Sequence, residues 1–341
     1  MNVSAVIVTY NNRFKLLIQV IESLTRLKIN KIIVVDNNSF ETSRNQLITL
    51  EKELIGKLKV LYLGENTGSA GGYSKGLVEF RADSNSEFVW LLDDDNVPEE
   101  NSLEILKEFW KRLKVIDKEK LIALLSYRKD RKVYRKAINY NKPDMVFGPT
   151  NCFMGFSINE ILKKIIKNSS MLEKRRMNGY LPEREYGIVS VAYYGGLFFH
   201  KRLLDKISYP NTKFFVYADD IDFSSRINKL GGNIYVLLNS RINDIDDKSQ
   251  IERSGDSFLK LPVINESNKV RMYYTIRNRI YFEKNSWSKN KFIFKLNKIV
   301  YLILLKILFL TKNIKHKELI STAITDGLSG NLGKREFLNL K

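Results

Sequence analysis

Four apolar runs constrain the architecture before anything else does. VSAVIVTY (3–10), KIIVVD (31–36), KVLYL (59–63) and EFVWLL (87–92) are continuous hydrophobic stretches of the kind buried on both faces of a sheet. The segments between them, 14–27, 43–56 and 71–82, read as helices, the first with its apolar residues at helical spacing. Strands that alternate with helices over short connections predict βαβ units and a mostly parallel sheet covered on both sides. In such sheets ligands bind beyond the carboxyl ends of the strands.

Every one of those ends is polar. They read Thr9-Tyr10-Asn11-Asn12, Asp36-Asn37-Asn38-Ser39, Gly64-Glu65-Asn66-Thr67 and Asp93-Asp94-Asp95. Asn, Asp and Ser also begin turns and cap helices, which accounts for many of them. It does not account for three successive aspartates, whose mutual repulsion calls for a cation or hydrogen bonds. The run ENTGSAGGYSKGL (65–77) is a glycine-rich helix entry lacking both the Walker A and the GxGxxG pattern. Its amides could approach a phosphate, with Lys75 as counter-charge.

Farther on, FFVYADDIDF (214–223) reads as an apolar strand running into Asp219, Asp220 and Asp222, after which a helix begins; dipole-compensating caps are the simpler alternative. The run YRKDRKVYRK (127–136) reads as a solvated hairpin or a cleft edge, with nucleic-acid contact a minor alternative that no accompanying motif supports. Residues 292–310 are the most apolar stretch, yet their charge-free core is far shorter than the ~20 residues that span a bilayer. From Trp287 to Lys317 there are eight lysines and no acid, which suits an interfacial helix on anionic lipid, a core helix or oligomer contact being the alternative. A formal net charge of +19 favours an anionic partner of some kind. A lone cysteine, Cys152, excludes a disulfide framework and a thiolate metal cluster, and MNVSAVIVTYNNR lacks the features of a secretory leader, so a cytoplasmic protein is expected.

A crevice with one acid cluster at a strand end and a second farther along suits transfer from a diphosphate-linked donor. One cluster would serve a cation at the leaving diphosphate and the other would deprotonate an acceptor hydroxyl. In this the chain resembles the inverting family-2 glycosyltransferases of GT-A fold. The resemblance rests on VIVTYNN (6–12), IIVVDNNS (32–39), NTGSAGGYSKG (66–76), WLLDDDNVP (90–98), GGLFFHKRLLDKI (195–207), YADDIDFSSRINKLGG (217–232) and RMYYTIRNR (271–279), in that order.

The resemblance implies an α/β, Rossmann-like nucleotide-diphospho-sugar transferase fold with a helical C-terminal appendage. Residues 1–265 would form the catalytic domain, with 1–115 binding the nucleotide sugar and 116–265 the acceptor. Residues 266–341 would form the appendage that attaches to a membrane surface. Thr9, Tyr10, Asn11, Asn12, Asp36, Asn38, Asn66, Gly71, Gly72, Lys75 and Asp93 would hold the donor. Asp93 and Asp95 match the DxD positions that hold Mn²⁺ or Mg²⁺. Asp220 matches the base, with Asp219 and Asp222 beside it, while Trp90, Gly195, Gly196 and Asp219 would face the acceptor.

The triple aspartate after WLL and the AGG before Lys75 look like the galactofuranosyltransferase branch, with rhamnose or another hexose as the alternative donor. That branch commonly supplies a metal-binding histidine about two dozen residues after the base. Here Asp244 stands 24 residues beyond Asp220, and the chain's two histidines, His200 and His316, lie elsewhere. A carboxylate at that position suits Mg²⁺ or Mn²⁺. The implied partners are a nucleotide-sugar donor, a glycan or glycolipid acceptor and the anionic inner face of the cell membrane. No nucleic acid is expected, and a homo-oligomer is left open. The rival readings are a nucleotidyltransferase and a non-catalytic, membrane-associated glycan-binding protein with a degenerate site.

Overall fold

The computed structural model describes residues 1–169, 184–246 and 268–336. It divides into two compact units, one of residues 1–146 and 184–251 and another of residues 147–183 and 252–341. The C-terminal helices therefore group with a segment from the middle of the chain. The expected boundary at 265/266 falls outside the described residues.

The first unit is built on a nine-stranded mixed sheet. Its strands are β1 (Val3–Thr9), β2 (Lys31–Asp36), β3 (Leu58–Tyr62), β4 (Phe88–Asp93), β5 (Asn96–Pro98), β6 (Ile122–Arg128), β7 (Tyr186–Val189), β8 (Leu197–His200) and β9 (Asn233–Asp244). They lie in the order β3-β2-β1-β4-β8-β6-β9-β5, with β7 also on β9. The four apolar runs of the sequence are the parallel block β3-β2-β1-β4, and β6 pairs in parallel with β9. Between these blocks β8 runs antiparallel to both neighbours.

The block is hydrophobic throughout because helices cover both faces. Phe14–Arg26 presents Leu17, Val20, Ile21 and Leu24, a stripe at 3-, 1- and 3-residue steps, to the strands. Trp90 lies at the centre of the same core with no exposed surface, and its indole N–H donates to the Gly196 carbonyl at 3.3 Å. Side chains of this size contribute about 1.5–3 kcal/mol each when removed from water.

Two local expectations are corrected. Residues 214–218 are no strand: Phe215, Tyr217 and Ala218 have φ of 67°, 66° and 62°, which no sheet ladder accommodates. The Phe215 carbonyl instead accepts from the Ala70 amide at 3.1 Å. Nor is 127–136 a hairpin. β6 ends at Arg128, and Lys132–Asn139 is a helix that buries Tyr134, Ala137 and Ile138.

The second unit is helical. Lys269–Phe282 runs into a π-helical turn at Glu283–Trp287, followed by helices Lys291–Thr311 and Lys317–Ser329. Glu283 is fully buried, and its carboxylate accepts from the amides of Met154 (2.6 Å) and Gly155 (2.9 Å) and from Arg279 Nε (2.8 Å). These bonds answer the cost of burying the charge. Among the described residues no helix is long and apolar enough to cross a membrane.

Gly68 opens the helix Gly68–Ala82 at φ 70°, where a Cβ would lie 2.0 Å from the Phe215 carbonyl oxygen. Both the backbone conformation and the close approach require glycine. Gly68→Ala is expected to destabilise the first unit by about 2–4 kcal/mol, read as a lower urea midpoint.

Candidate active site

The triple aspartate divides by direction. The Asp94 side chain turns into the fold and is almost fully buried, where it accepts from the Thr9 hydroxyl at 2.8 Å and from Arg13 Nε at 2.9 Å on both oxygens. Burial still pushes its carboxyl up to about 6, against the pull of Arg13 and Thr9. Asp93 is the last residue of β4, while Asp94 and Asp95 form the turn that leads into β5. Asp95 accepts from Arg13 at 2.7 Å and from the Asn96 amide at 2.8 Å. Asp93 accepts from the Tyr73 hydroxyl at 2.8 Å, and that hydroxyl is equally close to the Leu92 carbonyl.

Antiparallel pairing of β5 with β9 sets Asn96 opposite Asp244, which brings Asp244 to the first cluster. Arg128, nearly buried at the end of β6, donates to Asp244, to Asp93 at 3.4 Å and to Asp130 at 3.0 Å. Burial and the charges of Asp93, Asp94 and Asp244 push Asp95 up to about 7, opposed by Arg13. Asp93, Asp94, Asp95, Asp130, Asp244 and Asp246 share only the two guanidinium groups of Arg13 and Arg128 in these ion pairs. That, and the cluster's hard oxygen donors, fit a divalent cation such as Mg²⁺ or Mn²⁺. Among the described residues, however, no three acidic, histidine or cysteine side chains converge as a ready ligand set. Arg128 is shared between Asp93 and Asp244 instead.

The second cluster is built on the helix Asp219–Lys229, which carries three acids in its first turn. Asp219 is buried and accepts from the Ser69 hydroxyl at 2.9 and 3.1 Å, a bond that links it to the glycine-rich helix entry. Burial raises its carboxyl to about 6, with Ser69 opposing. Asp222 pairs with Arg226 one turn on. Asp220 remains partly open, and burial, Asp219 and the nearby Asp93 together raise its proton affinity well above the usual range. The rings of Tyr73 and Tyr194 lie 4.0 Å apart between the clusters. Tyr73 meets Asp93, while burial and the charges of Asp219 and Asp220 push the Tyr194 phenol up.

Several expected contacts take other partners. Trp90 is a core residue, and its only polar atom is bound to Gly196, so it does not face an acceptor. The Thr9 hydroxyl is committed to Asp94. Asp36 is fully buried and accepts from Arg44 (2.5 Å) and the Ser39 amide (2.9 Å). Gly71 and Gly72 are packing glycines: a Cβ would lie 2.4 Å from the Thr67 side chain and 2.6 Å from Val8, respectively. Tyr10, Asn12, Asn38 and Lys75 are exposed, and Asn11 is partly so. Asn66 accepts from the Gly68 amide at 2.9 Å. Gly195 abuts the first cluster, since a Cβ there would lie 2.2 Å from Asn96 Oδ1 and 2.8 Å from Asp93 Oδ2. Gly196 sits beneath it at φ 101°.

Sequence reasoning missed Arg13, Arg128, Ser69, Tyr73, Tyr194 and Asn37. Asn37 is buried, where it accepts from the Thr67 amide at 2.8 Å and donates to the Gly68 carbonyl at 2.9 Å. The signal available for Arg13 was its place directly after a polar strand end.

The shift of Asp219 has a definite sign. Its folded pKa lies above the unfolded value of 3.8, so the contribution to stability is full below about pH 4 and is lost as pH rises through about 6. Asp219→Asn, which mimics the protonated form, is expected to flatten that slope and raise stability at pH 7.5 by about 1–3 kcal/mol, measured by urea unfolding at pH 4.5 and 7.5.

Residues 4–163, just under half of the chain, match the family model for Glycosyl transferase family 2. No curated protein matches the chain. Among solved structures, that of GalNAc-T7 with UDP, GalNAc and Mn²⁺ aligns with a TM-score of 0.55 at 13% identity over 98% of this chain. The chain spans 55% of that structure's length. Two structures of TarS from S. aureus align at TM-scores of 0.47 (15% identity, 99% of this chain and 50% of that one) and 0.44 (16%, 84% and 74%), too low to carry an argument. Residues 4–163 are thus similar to family-2 glycosyl transferases, and the chain shares the α/β fold of the GalNAc-T7 structure.

Proposed function

We propose that the chain is an inverting, metal-dependent hexosyltransferase acting at the membrane surface of the cytoplasm. It takes galactofuranose from UDP-galactofuranose and places it on a hydroxyl of a growing, lipid-linked cell-surface glycan. The observation that carries this reading is the pairing of two acid clusters in one unit, joined through Tyr73 and Tyr194, with Asp220 a partly open carboxylate of raised proton affinity in the second. The UDP and Mn²⁺ named for the GalNAc-T7 structure agree with a uridine donor and a divalent ion.

In this reading Asp220 takes the proton of the acceptor hydroxyl as its oxygen attacks the anomeric carbon. The bond from that carbon to the diphosphate oxygen breaks on the opposite side, which inverts the configuration and releases UDP. Asp93, Asp95 and Asp244 would hold Mn²⁺ or Mg²⁺ only once Arg128 releases Asp93 and Asp244, and the ion would then supply positive charge for the leaving diphosphate. Tyr10, Asn11, Asn12, Asn38 and Lys75 remain accessible for the donor, and Gly195 and Gly196 form the floor near the sugars. The Ile221 amide donates to Asp220 at 2.8 Å and fixes its carboxylate.

A second reading, glycan binding without turnover, draws on one observation, the engagement of Asp93 and Asp244 by Arg128. One assay separates the two. Purified protein is given UDP-galactofuranose, UDP-galactopyranose, UDP-glucose and dTDP-rhamnose, with Mn²⁺ or with chelator, and nucleotide release is measured. Mn²⁺-dependent release of UDP from galactofuranose alone is expected. Turnover of dTDP-rhamnose overturns the donor, and binding without release from any donor favours the second reading. Asp220→Asn is expected to lower kcat by about 10²–10⁴-fold with KM for the donor within about threefold.

A further inference from the structure

The helix Lys291–Thr311 has two faces of different fate. Phe294, Asn297, Tyr301 and Leu305 are buried, with Phe294 and Tyr301 packed edge-on against Phe153 at 5.8 and 5.3 Å. On the opposite side Phe292, Leu296, Ile299, Ile303, Ile307 and Leu310 are all 44–78% exposed. At ~100° per residue these six fall within about 80° of arc, centred opposite the buried face. Lys291, Lys295, Lys298 and Lys306 project along one flank of the stripe, and the helix carries no acid. An exposed apolar stripe of this length on a soluble surface marks an interaction face.

We infer that this stripe is the docking face for an anionic lipid surface, with the helix lying in the plane of the interface. The packed face fixes which side is presented, and the lysine row supplies the charge complementarity. Long lysine side chains beside an apolar stripe reach up to headgroups while their stems stay in the apolar layer. A second copy of the helix fits less well, because it would bring another lysine row and no acid to pair with the first. The inference deepens the attachment part of the proposed function. It is read from binding without any donor, so its failure and a failure of transfer are separate results.

The test uses the full chain and vesicles of phosphatidylcholine with or without about 30 mol % phosphatidylglycerol. Sedimentation with the anionic vesicles is expected, together with at least about tenfold weaker partition on neutral ones. The double variant Ile303→Glu/Ile307→Glu is expected to lose at least about tenfold in partition to the anionic vesicles. The charge-matched control Ile55→Glu/Ile116→Glu, at residues 84% and 90% exposed in the first unit, is expected to partition as the unaltered chain does. Both variants should keep the circular dichroism of the parent. Unaltered partition of the stripe variant overturns the inference, as does equal loss in the control. A stripe variant that changes from dimer to monomer in sedimentation equilibrium while still binding vesicles assigns the face to self-association and also overturns it.

Discussion

The ion pair between Arg13 and Asp94, completed by the Thr9 hydroxyl, is the contact on which the mouth of the parallel block depends. It ties the residues after β1 to those after β4, two strands that are neighbours in the sheet, at the point where both chains leave the ladder. Both partners are largely shielded, so removing Arg13 would strand a buried carboxylate at a cost of about 3–5 kcal/mol. Asp95 accepts from the same arginine, while Asp93 is met by Tyr73 and Arg128. Repulsion within the triple aspartate is thereby offset by two guanidinium groups.

A second level of organisation is polar rather than apolar. Asn37 holds the Thr67–Gly68 turn, Ser69 holds Asp219, and Tyr73 and Tyr194 fill the space between the clusters. Asn37, Ser69 and Tyr73 each satisfy groups of another segment, and Tyr194 adds a ring contact to Tyr73. The loops at the strand ends are consequently fixed by directional bonds to one another.

The parallel block was legible because buried strands have a one-dimensional signature, and all four runs lie within a residue or two of the observed β1 to β4. The acid clusters were legible for a similar reason: three adjacent carboxylates have few purely structural explanations. What the sequence concealed is which carboxylate faces which way. Asp93 to Asp95 look equivalent in one dimension, and only their burial and their partners, Thr9 and Arg13 for Asp94, Arg13 and Asn96 for Asp95, Tyr73 and Arg128 for Asp93, tell them apart. Asp36 and Trp90 misled for the opposite reason. Each stands in a motif position that implies contact with a ligand, yet each has its polar atoms answered inside the fold. The segment 214–218 looked like a strand because its composition is apolar and aromatic. Its backbone instead adopts left-handed turns to bring Phe215 against Gly68, a tertiary demand that no local propensity encodes.

Gly68 packs against Phe215 and Ser69 is bound to Asp219, so the glycine-rich helix entry and the helix entry at Asp219 share one foundation. Their sequence separation of about 150 residues hides the fact that they are a single mechanical part. Recombination between relatives that exchanged 66–76 without 212–222 would join mismatched halves of that part. The two stretches are therefore expected to be inherited together, and any redesign has to treat them as one cassette.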